Sequence, residues 1–244
     1  MIEKLRLDKL LVCKGLAHNS NKAKAIIMSG KVLVNGIKID KSGAKFPSSV
    51  EIRVITKGHE WVSRGGIKLS FAINNFNLNI TGLICADIGA STGGFTEVLL
   101  KNKADKVYSI DVGKGQLDWK LVSNKKVIIL DKTNAKYLNL EEVDQGIDLI
   151  TCDVSFISIT KALSNIIKFN KENLKLVALI KPQFELSREK IGKKGIVTDS
   201  NFRLEAVDKV KHWLEENGWK TRGLIESPIK GTKGNIEYLI HSTK

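Results

Sequence analysis

The clearest pattern of apolar and polar positions along the chain surrounds a run of small residues, Gly89–Gly94. The preceding stretch, Leu83–Ile88, is mostly apolar, and after the run Phe95, Val98 and Leu99 recur at the spacing of one helix face. A buried strand, a glycine-rich turn and a helix in this order are typical of the first half of a nucleotide-binding βαβ unit. The pattern therefore predicts a ligand close to the turn backbone and to the free N–H groups at the start of the helix.

Apolar runs further along the chain predict the other strands of a parallel sheet, with a helix through Phe202 and Leu214 and a strand from Trp219 near the end. Because the carboxyl ends of parallel strands line the ligand crevice, the charged residues that end these runs should meet at one edge with Asp87. Glu237 interrupts the last apolar run and needs a positively charged partner. The four internal runs are Lys106–Asp111, Val127–Leu130, Asp148–Asp153 and Leu174–Lys181.

The first 60 residues predict shorter elements. Apolar positions in 7–11 predict one helix, Ser20 is suited to cap a second, and the Asn-Gly pair within Val32–Ile39 predicts a tight hairpin, followed by a strand at Val50–Ile55. These elements predict a small α+β domain, followed by a glycine-containing linker and an α/β domain. The predicted boundaries are 1–60, 61–67 and 68–244.

The charge of the chain makes a polyanion the first partner to consider. The net charge is +14, and residues 1–60 hold 12 Lys and Arg against 5 Asp and Glu, so a quarter of the chain carries half of the excess. RNA, DNA and anionic membrane are the options. The N-terminal cations are either a solvated face or a clamp on phosphates, and Gly192–Gly195 is either an exposed turn or a flap that touches substrate phosphates. The candidate RNA-binding residues are Arg6, Lys9, Lys22, Lys24, Lys31, Arg64, Lys193 and Lys194.

The cysteines and the N-terminal sequence bear on the compartment. Cys13, Cys85 and Cys152 are far apart, which suits neither a disulfide framework nor a metal site, and we expect buried thiols in a reducing compartment. The first residues are too charged for a signal peptide, and no apolar run approaches the length of a membrane span. We therefore expect a cytoplasmic protein without bound metal.

The glycine turn narrows the class of ligand. Its spacing is neither that of a dinucleotide-binding turn nor that of a P-loop, and Asp87 would repel a pyrophosphate but suits a positively charged ligand such as S-adenosylmethionine. Asp111, about 20 residues further on, is placed to take ribose hydroxyls, and Asp131 is a candidate beside the adenine. Another nucleotide and a purely structural turn remain open at this point. The candidate cofactor-binding residues are Asp87, Gly89, Ala90, Ser91, Thr92, Gly93, Gly94, Phe95, Asp111 and Asp131.

Two segments of the N-terminal part match a known domain. Arg6–Leu11 and Asn21–Gly36 resemble the S-four-type RNA-binding domain over about 50 residues. The resemblance implies binding to structured RNA. That domain usually has an Arg early in its second helix, where this chain offers Lys22 and Lys24, so the charge is kept but the bidentate guanidinium is lost.

Five motifs that span the rest of the chain are highly specific in combination. They are Ser63–Leu69, Asp87–Phe95, Asp111–Leu117, Cys152–Ser158 and Ile180–Glu185. With them the whole chain resembles the TlyA family, whose members are known as haemolysins and as rRNA cytidine 2′-O-methyltransferases. Related FtsJ-type enzymes carry a Lys-Asp-Lys-Glu tetrad, which corresponds to Lys68, Asp153, Lys181 and Glu237. Family members tend to have Glu where this chain has Asp131, which weakens the adenine assignment.

The resemblance implies both a fold and a reaction. The fold is a Rossmann-like class I methyltransferase with a mostly parallel seven-stranded sheet, preceded by the small RNA-binding domain. The reaction moves a methyl group from S-adenosylmethionine to the ribose 2′-hydroxyl of a cytidine, with Lys181 as general base and with Asp153 and Glu237 orienting Lys181 and Lys68. The implied partners are rRNA or the 30S and 50S subunits. Whether 23S rRNA alone or 16S rRNA as well is modified stays open.

Two other functions stay open. One is an RNA-binding ribosome-assembly factor that does not catalyse methyl transfer. The other is a membrane-active haemolysin, since basic charge favours anionic lipid, although the sequence shows no amphipathic or apolar spanning segment. We expect no stable association with membranes.

Overall fold

The structure, a computed structural model, describes residues 4–54, 61–138, 143, 146–169, 171–231 and 233–244. The chain divides into two compact units, residues 1–60 and 61–244. Each unit has apolar core residues of its own: one cluster in the first unit, and two clusters in the second. The two units are therefore described separately.

The first unit is a small α+β domain. Its core is built from side chains of both helices and of β2, among them Leu7, Leu10, Ile27 and Val32. The hairpin turn has positive φ angles at Asn35 and Gly36, as a two-residue turn between antiparallel strands requires. The elements are β1 (Lys4–Arg6), α1 (Leu7–Cys13), α2 (Ser20–Met28), β2 (Val32–Val34), β3 (Ile37–Ile39), β4 (Lys45–Pro47) and β5 (Ile52–Val54).

Two details of this unit differ from the prediction. Asn19 caps α2, because its side chain accepts the Lys22 N–H at 2.9 Å, and Ser20 is the first helical residue instead. Strands β1 and β4, which pair with each other, were not predicted, since each is only three residues long. The hairpin strand β2 pairs with β3 and β5 in a three-stranded sheet, as the hairpin and the following strand indicated.

The second unit contains a seven-stranded sheet, which confirms the predicted Rossmann-like fold. The strand order is β11-β12-β10-β9-β6-β7-β8. Strand β12 runs antiparallel to both of its neighbours, and all other neighbouring strands are parallel to each other. The strands are β6 (Ile84–Ile88), β7 (Lys106–Ile110), β8 (Val127–Leu130), β9 (Leu149–Cys152), β10 (Lys175–Ile180), β11 (Lys220–Glu226) and β12 (Tyr238–Thr243). The helices are α3 (Gly65–Asn75), α4 (Gly94–Lys101), α5 (Trp119–Val122), α6 (Ile159–Ala162), α7 (Pro182–Glu185) and α8 (Ser200–Glu216).

The sheet carries apolar side chains on both faces. Successive residues of β6 illustrate this, because Cys85 belongs to the cluster with Leu69 of α3, whereas Ala86 belongs to the cluster with Val210 of α8. Side chains of a strand point alternately to the two faces, and here both faces are covered. The edge formed by the ends of the parallel strands is therefore where polar residues can gather.

Helix α3 begins at Gly65, inside the segment predicted to be a linker. A Cβ atom on Gly66 would lie 2.4 Å from Cγ of Trp61. The glycine thus allows close approach of the Trp61 ring. This places Lys68 in the first turns of α3, where its side chain is buried.

The cysteines and the helix lengths also bear on the predictions. Cys85 and Cys152 are buried, and burial raises the pKa of both thiols, but Cys13 at the end of α1 is exposed, so the expectation of three buried thiols was wrong. Among the described residues, no helix is both long enough and apolar enough to cross a membrane.

The core of the first unit generates a prediction. Leu10 is 1% exposed, and Leu10→Ala should lower the free energy of unfolding of this unit by about 2–5 kcal/mol, since it leaves a cavity. Amide hydrogen exchange in residues 4–54 should accelerate accordingly. The control is Ile37→Ala, where the side chain is 68% exposed and the change should stay within about 0.5 kcal/mol. Equal exchange in both variants would contradict the assignment of the core.

Candidate active site

The register of the parallel strands brings the first two site residues together. Ile88 of β6 lies opposite Cys152 of β9, so Gly89 and Asp153, which follow them, are neighbours at the carboxyl edge of the sheet. A Cβ atom on Gly89 would lie 2.5 Å from the carbonyl oxygen of Asp153, and φ of Gly89 is +80°. Both the space and the backbone angle therefore require glycine.

The rest of the glycine turn leads into α4. Gly93 has φ +91° and precedes the first helical residue, and a Cβ atom there would lie 2.2 Å from Cδ1 of Leu121. Ser91 has a positive φ of 48°, and its N–H donates to Oδ2 of Asp111 at 2.8 Å. The hydrogen bond between Ser91 and Asp111 thus connects the turn after β6 to the residue that follows β7.

Asp87 lies behind this turn. It is completely buried; its two carboxylate oxygens accept hydrogen bonds from the hydroxyls of Thr96, at 2.7 Å, and Thr151, at 3.0 Å. Burial raises the pKa of Asp87 to about 6, and the two threonine hydrogen bonds oppose part of that rise. Asp87 lines neither of the cavities at the edge of the sheet, contrary to the prediction of a contact with a positively charged ligand.

Two cavities adjoin at this edge. The first has a volume of about 720 Å³ and the second of about 520 Å³. They share five lining residues: Gly89, Ser91, Asp153, Ser155 and Phe156. A ligand held against the glycine turn would therefore have access to both.

The first cavity contains two lysine–carboxylate pairs. Nζ of Lys181 lies 2.5 Å from Oδ1 of Asp153 and donates a hydrogen bond to Oγ of Ser155 at 2.9 Å. Nζ of Lys68 lies 2.5 Å from Oε2 of Glu237. Both lysines are buried, and each buried charge has its own counter-charge, as buried ions require. The structure thus brings together all four residues of the predicted tetrad.

Glu237 reaches this edge because β12 runs against the other strands. Ile180 of β10 lies opposite Tyr238 of β12, which makes Glu237, just before β12, the neighbour of Lys181, just after β10. If β12 were parallel to β10, the residue after its last position would lie at this edge. Because β12 is antiparallel, the residue before its first position, Glu237, lies there instead. A Cβ atom on Gly231 would lie 2.3 Å from Oε1 of Glu237, so the preceding loop also packs tightly against this carboxylate.

The second cavity lies beside β7. Asp111 lines it, while its carboxylate accepts the N–H groups of Ser91 and Gly113. Asp131 does not line it, because its side chain turns to accept the N–H of Gly115 at 2.8 Å. Gly93 is likewise outside both cavities. The remaining predicted turn residues, Ala90, Ser91, Thr92, Gly94 and Phe95, line the first cavity.

The sequence did not single out two residues at this site. Phe156 is 90% exposed, has a positive φ of 65° and lies 5.2 Å, between ring centroids, from Phe184. Asn235 is buried; its side chain accepts the N–H of Val197 and donates to the carbonyl of Gly195, which joins the basic loop to the segment carrying Glu237. In the sequence, the available signal for Asn235 was its place two positions before an isolated acid, Glu237.

The predicted RNA-binding residues lie in both units. In the first unit Lys9 and Lys22 are exposed, and Lys24 and Lys31 are partly buried. Arg6 makes a bidentate contact with the buried Asp8, which lowers the pKa of that carboxyl and uses part of the guanidinium. The others are in the second unit: Arg64, Lys193 and Lys194 are exposed, and Arg64 donates to the carbonyl of Lys230 at the first cavity.

Comparisons with known proteins show what the chain is similar to. The 16S/23S rRNA (cytidine-2′-O)-methyltransferase TlyA of Mycobacterium tuberculosis is 38% identical over 241 residues, 98% of this chain and 90% of that protein. Hemolysin A of Brachyspira hyodysenteriae is 42% identical over 97% of this chain and 99% of its own length. A solved structure from Streptococcus thermophilus, provisionally named a hemolysin, is 39% identical, with a TM-score of 0.75 over 100% of this chain and 90% of that one.

The family models divide the chain as its fold does. Residues 61–244 match the FtsJ-like methyltransferase family, and residues 5–52 match the S4 domain. The chain belongs to the TlyA family of FtsJ-like methyltransferases. The protein is therefore an enzyme, and S-adenosylmethionine is the methyl donor of this family.

The site of this FtsJ-like methyltransferase fits that donor. Gly89 lines both cavities and carries no side chain, so a ligand can approach the backbone of the turn closely. The second cavity offers a carboxylate, Asp111, beside apolar Val112 and Val154, which suits a ribose next to a flat base. The residues present thus match a nucleoside with a polar tail.

Asp87 generates a prediction on the pH dependence of stability. Its folded-state pKa of about 6 lies above the unfolded value of 3.8, so the folded protein holds this proton more tightly. The associated stabilisation is present below pH 3.8 and is lost as the pH rises through about 6. Between pH 4.5 and 7, wild type should therefore lose about 2 kcal/mol of unfolding free energy relative to Asp87→Asn.

Urea unfolding of both proteins at the two pH values measures this difference. Asp105→Asn, at a carboxylate whose side chain is 68% exposed, is the matched control. If the difference between wild type and Asp87→Asn is the same at both pH values, the explanation from burial is wrong.

Proposed function

We propose that the protein transfers the methyl group of S-adenosylmethionine to the 2′-hydroxyl of a cytidine ribose in ribosomal RNA, the reaction for which its Mycobacterium relative is named. The observation that carries the proposal is the buried Lys181 amine, held by Asp153 and Ser155 in a cavity that adjoins the one beside Asp111. This arrangement provides a base at the point where S-adenosylmethionine and the RNA ribose would meet.

The chemistry needs a base because a ribose hydroxyl is a poor nucleophile. When bound, S-adenosylmethionine supplies an electrophilic methyl group on a positively charged sulfur. In the proposal, Lys181 reacts in its neutral amine form, after releasing one proton to solvent, and then accepts the hydroxyl proton. The contacts of Nζ with Asp153 and Ser155 fix the direction of the amine. Lys68, paired with Glu237, places a second donor in the same cavity, where it can bind the ribose oxygen.

The cofactor residues follow the division between the cavities. Gly89, Ala90, Ser91, Thr92, Gly94 and Phe95 would border the methionine part, and Asp111 would accept the ribose hydroxyls. Asp87 and Gly93 support the turn from behind, through the Thr96 and Thr151 hydrogen bonds and the packing on Leu121. Asp131 holds the backbone of Gly115 instead of facing the adenine.

The mouth of the first cavity suits RNA. Arg64, Lys230 and Lys233 line it, and Lys193 and Lys194 are exposed on the loop that Asn235 holds. Cations around a cavity neutralise phosphates without reading sequence. The exposed Phe156 offers a flat apolar face to a base that has left its stack, the state in which a ribose inside a duplex becomes accessible.

The first unit would provide the remaining affinity for RNA. Its match to the S4 domain and its share of the positive charge support this role. Lys9, Lys22 and Arg6 are its exposed candidates, although Arg6 is paired with Asp8, and Lys24 and Lys31 are partly buried. The 30S and 50S ribosomal subunits are the proposed substrates and are tested separately.

The decisive test compares two lysine variants. Lys181→Met should lower the rate constant of methyl transfer to ribosomal subunits at least about 100-fold, because the base is lost. The control is Lys171→Met, which removes a lysine at the same 2.5 Å distance from a carboxylate, that of Asp148, but at the opposite edge of the sheet. Labelled methyl on purified unmodified 30S and 50S particles is counted, and the modified nucleotide is mapped.

The outcomes separate the candidate functions. Near-normal transfer by Lys181→Met would remove Lys181 as the base. Wild type that binds S-adenosylmethionine but labels neither particle would exclude these substrates. Wild type that binds the particles but not S-adenosylmethionine would favour the assembly factor, and leakage of anionic vesicles by Lys181→Met as by wild type would favour the haemolysin.

Phe156 generates a separate prediction. Phe156→Ala should raise the apparent KM for the RNA substrate about tenfold, the loss expected when one base–aromatic stack is removed. Tyr137→Ala is the control, because Tyr137 is 70% exposed but lines neither cavity. Steady-state kinetics at saturating cofactor measure both, and an unchanged KM in Phe156→Ala would contradict the stacking role.

A further inference from the structure

Another buried carboxylate, Glu185, lies close in sequence to Lys181 of the Lys181–Asp153 pair but lines neither cavity. Glu185 is 4% exposed and follows Lys181 by four positions, at the end of α7. Its Oε2 accepts a hydrogen bond from Oγ of Ser158 at 2.5 Å, and its Oε1 accepts the N–H of Ile159 at 2.8 Å. The carboxylate therefore joins the segment after β10 to the segment after β9.

The segment that Glu185 holds is the β9 loop, residues 153–158. It carries both groups that contact Nζ of Lys181: the carboxylate of Asp153 and the hydroxyl of Ser155. At its start the N–H of Asp153 donates to the carbonyl of Ile88 at 2.9 Å, so the sheet anchors that end. The far end is anchored by Glu185.

The contact is more than a cap for the short helix α6. Ser158 already precedes α6 and its own Oγ accepts the N–H of Thr160 at 3.3 Å. The Glu185 contacts therefore add a link between two strand ends to a helix that has its cap. From α8, Nζ of Lys209 donates to the backbone carbonyl of Glu185, which fixes the residue on its other side.

We propose that Glu185 is a positioning residue that holds the β9 loop against Lys181 and thereby keeps Asp153 and Ser155 in contact with its amine. Its effect on methyl transfer rests on the proposed function, but its effect on the environment of Lys181 does not. Burial raises the pKa of Glu185, while the Ser158 and Ile159 hydrogen bonds and Lys209 oppose that rise. The carboxylate is thus retained at a site that costs free energy, as expected of a group with a task.

The first experiment measures Lys181 without any substrate. The full-length protein is treated briefly with acetic anhydride, and the acetylation rate of each lysine is read by peptide mass spectrometry. In Glu185→Ala the β9 loop loses two hydrogen bonds to a buried carboxylate, so Lys181 should react at least about tenfold faster. Glu185→Gln, which can still accept from Ile159 and contact Ser158, should stay within about twofold of wild type.

Two controls separate positioning from general loosening. Lys68 is buried in the same cavity, but its partner Glu237 lies just before β12 and not on the β9 loop, so the acetylation rate of Lys68 should not change in any variant. Asp148→Ala is the control for losing a partly buried anchor elsewhere, and it should leave the Lys181 rate unchanged. It removes a carboxylate that likewise accepts one backbone N–H, from Ile84, and one side-chain donor, Lys171, at the opposite ends of the strands.

An unchanged Lys181 rate in Glu185→Ala, or an equal rise in the Lys68 rate, would overturn the proposal. If Glu185→Ala does not fold, Ser158→Ala can replace it, because this variant removes one of the two donors to Glu185. The acetylation rate of Lys181 should then rise by less than tenfold, and an unchanged rate would also overturn the proposal.

The second experiment measures catalysis. Glu185→Ala should lower kcat for ribosomal subunits about 100-fold while the Kd for S-adenosylmethionine stays within about twofold, because a misplaced base affects the reaction more than ligand binding. Glu185→Gln should restore most of kcat. A wild type that transfers no methyl group, combined with the expected Lys181 labelling, would defeat the proposed function and leave the positioning role standing. Normal kcat in Glu185→Ala would defeat the positioning role alone.

Discussion

The close approach of two neighbouring strand ends is the constraint on which the active site depends. Gly89 after β6 and Asp153 after β9 lie so near each other that a Cβ atom on Gly89 would overlap the Asp153 carbonyl oxygen. The same contact limits the floor of the cofactor cavity and the position of the carboxylate that pairs with Lys181. Because one backbone approach sets both, the position of the proposed cofactor turn is coupled to the position of the Asp153 backbone, next to the proposed base.

The direction of β12 completes the charge pattern at that edge. Parallel strands deliver their last residues there, and two of these, Asp153 and Lys181, already balance each other. Lys68 on α3 would be a buried cation without compensation unless a further acid arrived, and the antiparallel β12 supplies it in Glu237 at its start. The reversed strand is thus the reason that two lysines can be buried in one cavity.

The sequence sufficed for the sheet and for its polar edge, but not for the orientation of every acid there. Strands covered on both faces show no alternation of apolar and polar residues, so nothing in Leu83–Ile88 told which way Asp87 points. Asp131 does not line the second cavity, because a short side chain at a turn can bind a nearby backbone N–H, here that of Gly115. The pairing of Lys68 with Glu237 could be predicted only from the family resemblance, because 169 positions separate the two residues and no sequence spacing indicates that they meet.

Asp87 and Glu185 have a feature in common that distinguishes them from the acids of the tetrad. Each is a buried carboxylate with a raised pKa, each accepts two hydrogen bonds, and neither lines a cavity. Asp87 fastens the helix after the glycine turn to β9 through Thr96 and Thr151, and Glu185 fastens the loop after β9 to the end of β10. Hydrogen bonds to ionic acceptors are stronger than those to neutral acceptors, so the two bonds at each carboxylate offset part of the desolvation that raises its pKa. The loops that carry the reacting groups are therefore fixed from behind, while the cations at the mouth of the cavity stay exposed to meet RNA.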